Sequence, residues 1–468
     1  MTTTSAPQAP PAPAPPRPRS ALAGHWIDEW EPEDPNFWAR TGARIANRNL
    51  WFSILAEHIG FSIWTMWSVL VLFMGPEYGI DPAGKFFLLA VPTLVGALLR
   101  LPYTVAVARF GGRNWTVFSA LLLLIPTILA AIVMQPGTSY ATFVVVAAVG
   151  GVGGGNFASS MANINTFYPE SRKGWALGLN AGGGNIGVPA IQLVGLLIIA
   201  TAGVSEPRLL LGVYIPLIVV AGAFAAVKMD NLTSVRGDTG AFQEAIKEPQ
   251  SWVMSFLYIG TFGSFIGYSF AFGLVLQNQF DRTPLQAAAV TFIGPLLGSL
   301  IRPIGGRLAD AIGGAKVTFW NFLGMGVATG IVIAASNAES LPAFVAGFVL
   351  LFLLSGLGNG STYKMIPSIF GVQARVAIEN GADEKSSLLR ARRISGAVIG
   401  IAGAVGALGG LFINLAFRQS FASASSGDPA FWVFLAFYGV FALVTYAVFL
   451  RSAPAPATTE PRLTYAGV

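Results

Sequence analysis

The stretch FFLLAVPTLVGALLRLPYTVAVA, residues 86–108, decides the fold class, because it is a long apolar run that contains a single charge, Arg100. A helix that crosses the hydrocarbon core of a bilayer needs about 20 predominantly apolar residues. The run reaches that length, and it is far too long for a membrane barrel strand of about ten residues. It therefore predicts a membrane-spanning helix with one arginine inside it.

Runs of the same kind recur between Asn49 and Leu450, about twelve in all. The predicted spans are 49–74, 86–108, 114–134, 139–167, 173–200, 208–228, 251–277, 284–308, 315–335, 341–370, 393–418 and 429–450. The chain is thus expected to cross a lipid bilayer many times.

The composition excludes several classes of protein. Of 468 residues, 54% are hydrophobic and 11% are charged, against about 25% charged in ordinary soluble proteins. There is no cysteine, and His25 and His58 are the two histidines, which excludes a disulfide scaffold, a cysteine nucleophile and a cysteine-ligated metal. We expect no cofactor, no metal site and no enzymatic activity. The net charge of +6 is attributed to cationic loops and not to nucleic-acid binding.

The distribution of Lys and Arg predicts the orientation, because cytoplasmic loops carry the excess of these residues. With the N-terminus inside, the cytoplasmic loops collect most of them, and the opposite side receives little beyond Lys85, Arg208, Arg282 and Arg418. Both termini are therefore predicted to be cytoplasmic, in a multi-pass protein of the inner membrane that we expect to be a monomer.

Two segments with homologous patterns indicate an internal duplication. Gly96–Arg100 followed by Phe110-Gly-Gly resembles Gly298–Arg302 followed by Ile312-Gly-Gly, 202 residues further on. Gly155-Asn156 likewise matches Gly358-Asn359, and residues 183–187 match 396–400. Transporters are often built from two related halves with the substrate between them.

The repeat divides the chain into five predicted segments. They are a disordered cytoplasmic N-terminal segment (1–48), a first six-helix bundle (49–228), a central cytoplasmic loop (229–250), a second six-helix bundle (251–451) and a disordered tail (452–468). The predicted fold class is an all-α polytopic membrane protein with two pseudo-symmetric six-helix bundles.

Arg100 and Arg302 occupy equivalent places in the two halves, where charge is expensive. An arginine at a helix centre costs at least about 2.5–3.5 kcal/mol on insertion scales, so it faces a cavity or a partner. Snorkelling to the interface and a buried salt bridge are the alternatives, but Glu57 is the only acid of the predicted spans away from the loops. A guanidinium presents paired donors that suit an oxyanion. The favoured hypothesis is that both arginines converge on one small, planar, monovalent anion.

Two predicted helices of the first half are rich in glycine. Residues 150–165 and 178–187 are rich in Gly, Ser and Asn, which permits close helix packing or sliding between two states. Both uses stay open. Asn180 could donate its amide hydrogen to an oxyanion or could make a structural bond between helices.

The same stretches resemble a known family. GNFASSMANIN (155–165) running into ALGLNAGGGN (176–185), together with GNGSTYKMIP (358–367), is similar to the two nitrate signatures of the nitrate/nitrite porters of the major facilitator superfamily. The resemblance implies alternating access, with nitrate and nitrite as substrates and nitrate held between Arg100 and Arg302. It also implies pocket walls formed by Asn180, Tyr258, Phe262, Phe157 and Phe61.

The resemblance leaves open whether nitrate transport is coupled to protons, since the family contains both nitrate/nitrite exchangers and proton–nitrate symporters. The chain departs from the exchanger pattern in carrying Glu57 and His58 in the first span and Lys364 in the second signature. Intramembrane ionisable residues are functional candidates by default, so these three are candidates for proton coupling. The structural alternative is that Glu57 only forms a polar pair with His58 or with Lys364. Symport is slightly favoured, with proton-independent nitrate/nitrite antiport as the alternative.

Other classes fit the sequence less well. A channel or a signalling receptor conflicts with the duplicated glycine-rich halves, and no nucleotide-binding unit or metal cluster suggests a membrane enzyme. Transport of another anion, or of a drug-like substrate, is the nearest competing function.

Overall fold

Twelve long apolar helices make up the computed structural model, which describes residues 25–233 and 239–451. We name them α1 (Pro35–Phe73), α2 (Pro82–Phe110), α3 (Gly112–Val133), α4 (Tyr140–Phe167), α5 (Ser171–Ala202), α6 (Pro207–Lys228), α7 (Pro249–Gln279), α8 (Pro284–Ile312), α9 (Gly314–Asn337), α10 (Leu341–Glu379), α11 (Glu384–Ala424) and α12 (Asp428–Leu450). Each is long and apolar enough to cross a membrane. The tails expected at residues 1–20 and 452–468 lie outside the described residues.

Helices α2 and α8 confirm the duplication in their bounds as well as their sequence. Both contain 29 residues, and each begins with a proline in its first turn behind a capping side chain, Asp81 or Thr283. Proline suits the first helical position, where its missing N–H costs nothing. Both helices end at a glycine with positive φ, 89° at Gly111 and 94° at Gly313, a conformation that only glycine adopts without strain.

The two halves meet along helices that carry the candidate residues. Helix α2 packs on α11, α5 on α8, and α1 on α7. Within the second half, α10 packs against both α8 and α9. Arg100 on α2 and Arg302 on α8 therefore lie on helices that contact the opposite half, and each arginine is 6% exposed or less.

The side that holds the start of α1 and the end of α12 is called the terminal side, and the other the distal side. On the distal side the halves are closed by aromatic contacts, because Phe86 of α2 stacks on Phe417 and Phe421 of α11, with ring centroids 5.4 and 5.1 Å apart. Gln192 of α5 also donates to the carbonyl oxygen of Ser269 on α7, at 2.9 Å.

Residues 25–48 differ from the expected disordered segment. Trp26–Ile27 pairs with Asn231–Leu232 as two short parallel strands, and α1 begins at Pro35. Trp30 packs edge-on against Phe167, with centroids 5.3 Å apart, and Arg48 forms an ion pair with Asp230 at 2.6 Å. The aromatic residues of this segment supply apolar contacts that hold it against the helices.

The predicted central loop also contains regular structure. Residues 229–250 include the second short strand, a helix at Thr239–Lys247 and the first turn of α7. Arg390 at the start of α11 holds this linker helix through Glu244 and Glu248, at 2.5 and 3.0 Å. Helices α10 and α11 are correspondingly longer than the apolar runs that predicted them, because their polar terminal-side turns continue the helix.

Glycines let α8 and α10 touch along their backbones. A Cβ at Gly360 would collide with the carbonyl oxygen of Arg302, and one at Gly356 would collide with that of Gly298. The absence of side chains here brings the second signature directly against the helix that carries Arg302.

We predict that Gly360→Ala lowers the free energy of unfolding by about 1–3 kcal/mol, the usual cost of overpacking a tight contact. Gly371→Ala is the matched control on the same helix, because a Cβ there meets no atom within 4 Å. Thermal unfolding of the purified variants in detergent measures the difference. Equal stability of the two variants would contradict the close packing of α8 on α10.

Candidate anion-binding site

Arg100 lies at the centre of the molecule with no exposed surface. One terminal nitrogen, Nη1, donates to the carbonyl oxygen of Gly403 on α11 at 2.9 Å. Its Nε and Nη2 groups have no protein partner among the described residues. Because a guanidinium carries five N–H donors, this buried arginine has donors left for an acceptor that the protein does not supply.

Arg302 shows the same pattern in the other half. Its Nη2 donates to the Tyr258 hydroxyl at 3.2 Å, whereas Nη1 has no partner in the described part of the chain. The guanidinium also lies 5.6 Å from the centre of the Tyr363 ring. Unpartnered donors on both arginines are unusual, since buried polar groups in proteins are almost always hydrogen-bonded.

A series of four aromatic rings connects the two arginines. Arg100 lies 4.6 Å from the centre of the Phe157 ring and 4.8 Å from that of Phe262. Phe157 stacks on Phe262, and Phe262 stacks on Tyr258, with ring centroids 6.0 and 5.2 Å apart. Tyr258 is next to Tyr363, at 5.8 Å. Aromatic faces stabilise the guanidinium charges and form flat walls beside them.

A small cavity of about 60 Å³ adjoins Arg100 on its terminal side. Its polar lining consists of Arg100, Thr104, Asn165 and Tyr363, and the remainder is apolar or glycine. That volume suits a small anion or a few waters. Arg302 is not part of this lining and contacts it through the Tyr363 ring.

Glu57 brings the negative charge of the site. Its side chain is 1% exposed, and the carboxylate interacts electrostatically with both Arg302 and Arg100. The three charged groups sum to +1 when Glu57 is ionised and to +2 when it is protonated. One monovalent anion therefore offsets the excess charge of the ionised state.

Asn180 holds the Glu57 carboxylate in place. Its Nδ2 donates to Glu57 Oε2 and to the Ser160 hydroxyl, both at 2.7 Å. An amide nitrogen has two hydrogens, so these two bonds use both donors in this conformation. Asn180 was predicted as a substrate ligand, and the structure instead gives it the structural partner that the sequence left open.

His58 and Lys364 lie apart from this arrangement. The half-buried His58 points Nδ1 at the carbonyl oxygen of Gly183, 3.3 Å away. Lys364 is 43% exposed and forms an ion pair with Asp310 at 2.8 Å. Neither side chain pairs with Glu57. The predicted alternative, in which Glu57 pairs with His58 or Lys364, is therefore not seen in this conformation.

Phe61 is buried near the site without contacting the arginines. It packs edge-on against Phe157 and Trp64, with ring centroids 5.9 and 5.6 Å away. Its position supports the Phe157 ring and does not line the cavity.

Sequence reasoning missed Trp64, Tyr363 and Gly403. Trp64 lies 5.4 Å from the Arg100 guanidinium carbon, and helical spacing could have found it, because residues 57, 61 and 64 share one helix face. Tyr363 lies within the second signature, directly before Lys364, so its position in that motif was the available signal. Gly403 contributes a backbone carbonyl, for which the residue type gives no signal.

Comparison with known proteins agrees with the fold. The Major Facilitator Superfamily matches residues 50–378. A solved D-xylose–proton symporter shares the fold, with a TM-score of 0.63 and 16% identity over 86% of this chain and 96% of that one.

Three relatives with assigned names indicate which branch of the superfamily the chain belongs to. The nitrate/nitrite transporter NarU of Salmonella typhimurium is 38% identical, over 92% of this chain and 97% of its own. NarU of Escherichia coli is 36% identical over 91% and 96%. The probable nitrate/nitrite antiporter NarK2 of Thermus thermophilus is 33% identical over 92% and 96%. The chain therefore belongs to the nitrate/nitrite porters of the Major Facilitator Superfamily.

Proposed function

We propose that this protein carries nitrate and nitrite across the membrane by alternating access, with the anion bound between Arg100 and Arg302. The observation that supports it most is the pair of buried arginines at equivalent positions of the two halves, each with N–H groups that lack a protein partner. A planar anion can accept from both and lie against the aromatic rings between them. In this proposal the protein is a transporter and not an enzyme.

The arrangement of the halves favours alternating access. The distal side is closed by the Phe86, Phe417 and Phe421 stack, whereas the cavity next to Arg100 extends towards the terminal side. Rocking of one half against the other about a central site is how duplicated transporters expose it to each side in turn.

We further propose that nitrate enters together with protons and that Glu57 carries the proton. An anion between the arginines adds negative charge next to the carboxylate, which favours protonation of Glu57. Linkage requires the reverse as well, so a protonated Glu57 favours anion binding. Anion and proton would thus be loaded together and released together.

Exchange of nitrate for nitrite without protons is the second candidate. The 33% identical Thermus thermophilus relative named a probable nitrate/nitrite antiporter favours it. In that case Glu57 would serve as a fixed counter-charge that keeps the empty site from carrying +2, and its protonation would not change during the cycle.

We also propose a topology and a location. The excess of Lys and Arg in the terminal-side loops supports a cytoplasmic terminal side in the inner membrane. Because the proposed site lies between the two halves of one chain, a monomer suffices for transport.

Replacing either arginine is expected to abolish high-affinity nitrate binding. Removal of one member of a buried charged pair typically costs about 3–5 kcal/mol, which weakens binding more than about a hundredfold. Nitrate titration of purified Arg100→Ala and Arg302→Ala measures this. Arg109→Ala, on the exposed end of α2, is the control, and unchanged affinity in either site variant would remove that arginine from the site.

Glu57→Gln is expected to separate exchange from proton-driven uptake. Glutamine resembles the protonated carboxyl, so nitrate binding and nitrate–nitrate exchange should persist while uptake driven by a pH gradient falls at least about tenfold. Reconstituted vesicles measure both rates. Lys364→Gln is the matched control, because its partner Asp310 lies outside the cavity.

Two results would contradict proton coupling. Wild-type uptake that responds to internal nitrite and ignores a pH gradient would favour the antiporter. Unchanged proton-driven uptake in Glu57→Gln would leave the symport intact and assign the proton to another group.

A further inference from the structure

Two buried serines face each other between helices α1 and α4, beside Glu57. The hydroxyl oxygens of Ser53 and Ser160 are 2.8 Å apart, and either can be the donor. Ser53 is 0% and Ser160 is 6% exposed. Neither residue belongs to the walls of the anion cavity.

These hydroxyls differ from most others buried in the spanning helices. A serine or threonine in a helix commonly donates to the carbonyl oxygen four residues earlier. Ser62 bonds in this way to His58, Ser255 to Ser251 and Ser269 to Phe265. Among the described residues, Ser53 and Ser160 make no such bond to their own helices, so their hydrogens stay available to each other.

The pair is joined to the Glu57 carboxylate. Ser160 interacts electrostatically with this carboxylate, and Asn180 Nδ2 donates to both Glu57 Oε2 and the Ser160 hydroxyl, at 2.7 Å each. Because one Asn180 nitrogen donates to both oxygens, it positions the serine hydroxyl beside the carboxylate, and Glu57 Oε1 has no hydrogen-bond partner among the described residues.

The polar side chains of this face of α1 continue from Glu57 towards the terminal side. Ser53 lies one turn before Glu57 on the same face of α1, a rise of about 6 Å. Asn49 follows one turn further on, where its Nδ2 donates to Asp230 at 2.8 Å. Asp230 also pairs with Arg48, so this face ends in a polar cluster at the terminal-side surface.

We propose that Ser160 and Ser53 relay the Glu57 proton to the terminal side, an inference that rests on the proposed proton coupling. The carboxyl hydrogen of Glu57 passes to Ser160 Oγ while the Ser160 hydroxyl hydrogen passes to Ser53 Oγ. The Ser53 hydroxyl hydrogen passes to a water molecule on the Asn49 side. Glu57 is left as a carboxylate, the water becomes hydronium, and both hydroxyls are restored.

The charged groups around Glu57 favour this direction. Burial disfavours the ionised form of Glu57, and the electrostatic attraction of Arg302 on α8 and Arg100 on α2 opposes that cost. On α1 itself, His58 is turned to Gly183 on α5, and Tyr363 of α10 interacts with the site through the arginines. At the far end, Asp230 is flanked by Arg48 and by His25 at 3.5 Å. An excess proton is therefore repelled from the arginines and leaves along the serines.

The test compares two rates in reconstituted vesicles containing the full protein. Ser53→Ala and Ser160→Ala should slow pH-driven net nitrate uptake by about tenfold or more, because net uptake requires Glu57 to lose its proton in every cycle. Nitrate–nitrate exchange needs no deprotonation and should stay within about twofold of the wild type. Ser53→Thr and Ser160→Thr keep the hydroxyl and should restore net uptake.

Ser255→Ala is the matched control. Ser255 lies 202 residues after Ser53, is 0% exposed, and bonds to its own helix through the Ser251 carbonyl, so both rates should remain at wild-type values.

The relay is overturned if Ser53→Ala slows exchange and net uptake equally, which would make the serine pair a helix contact only. It is also overturned if neither rate changes. A wild-type protein that moves no protons would refute the coupling itself and the relay with it, whereas a coupled wild type with unaffected serine variants would refute the relay alone.

Discussion

The structure is organised around three charges that are removed from water between its two halves. Arg100 and Arg302 are 0% and 6% exposed, and Glu57 is 1% exposed. Burial of isolated charges is costly, so such groups need partners. One carboxylate cannot balance two guanidinium groups, and the protein leaves N–H donors on both arginines without partners among the described residues. This imbalance of charge supports the proposed binding of one anion between the two halves.

The remaining architecture keeps that imbalance in place without neutralising it. The rings of Phe157, Phe262 and Tyr363 stabilise the guanidinium groups and add no negative charge. Asn180 fixes the carboxylate by one hydrogen bond from an uncharged amide. Glycines such as Gly360 let α10 approach the backbone of Arg302. Lys364 is balanced separately by Asp310 at the surface, so it does not enter the charge balance of the site.

The repeat and the arginines were predictable because both depend on local sequence. Helices α2 and α8 begin and end 202 residues apart, the same spacing that separates Arg100 from Arg302. Contacts between residues that are distant in the sequence were harder to predict. The packing of Trp30 on Phe167 orders a segment expected to be disordered, and Gly403 takes part through a carbonyl group. Asn180 illustrates the same limit, since its residue type suits an anion and a carboxylate equally.

In the proposed mechanism, the anion and the Glu57 proton bind together at one site. Calorimetric titration of nitrate into the purified protein, repeated in buffers of different ionisation enthalpy, counts the protons taken up on binding. We predict proton uptake with nitrate in the wild-type protein and none in Glu57→Gln, although the variant still binds the anion. Nitrate binding to the wild-type protein without any proton uptake would contradict joint binding of the anion and the proton.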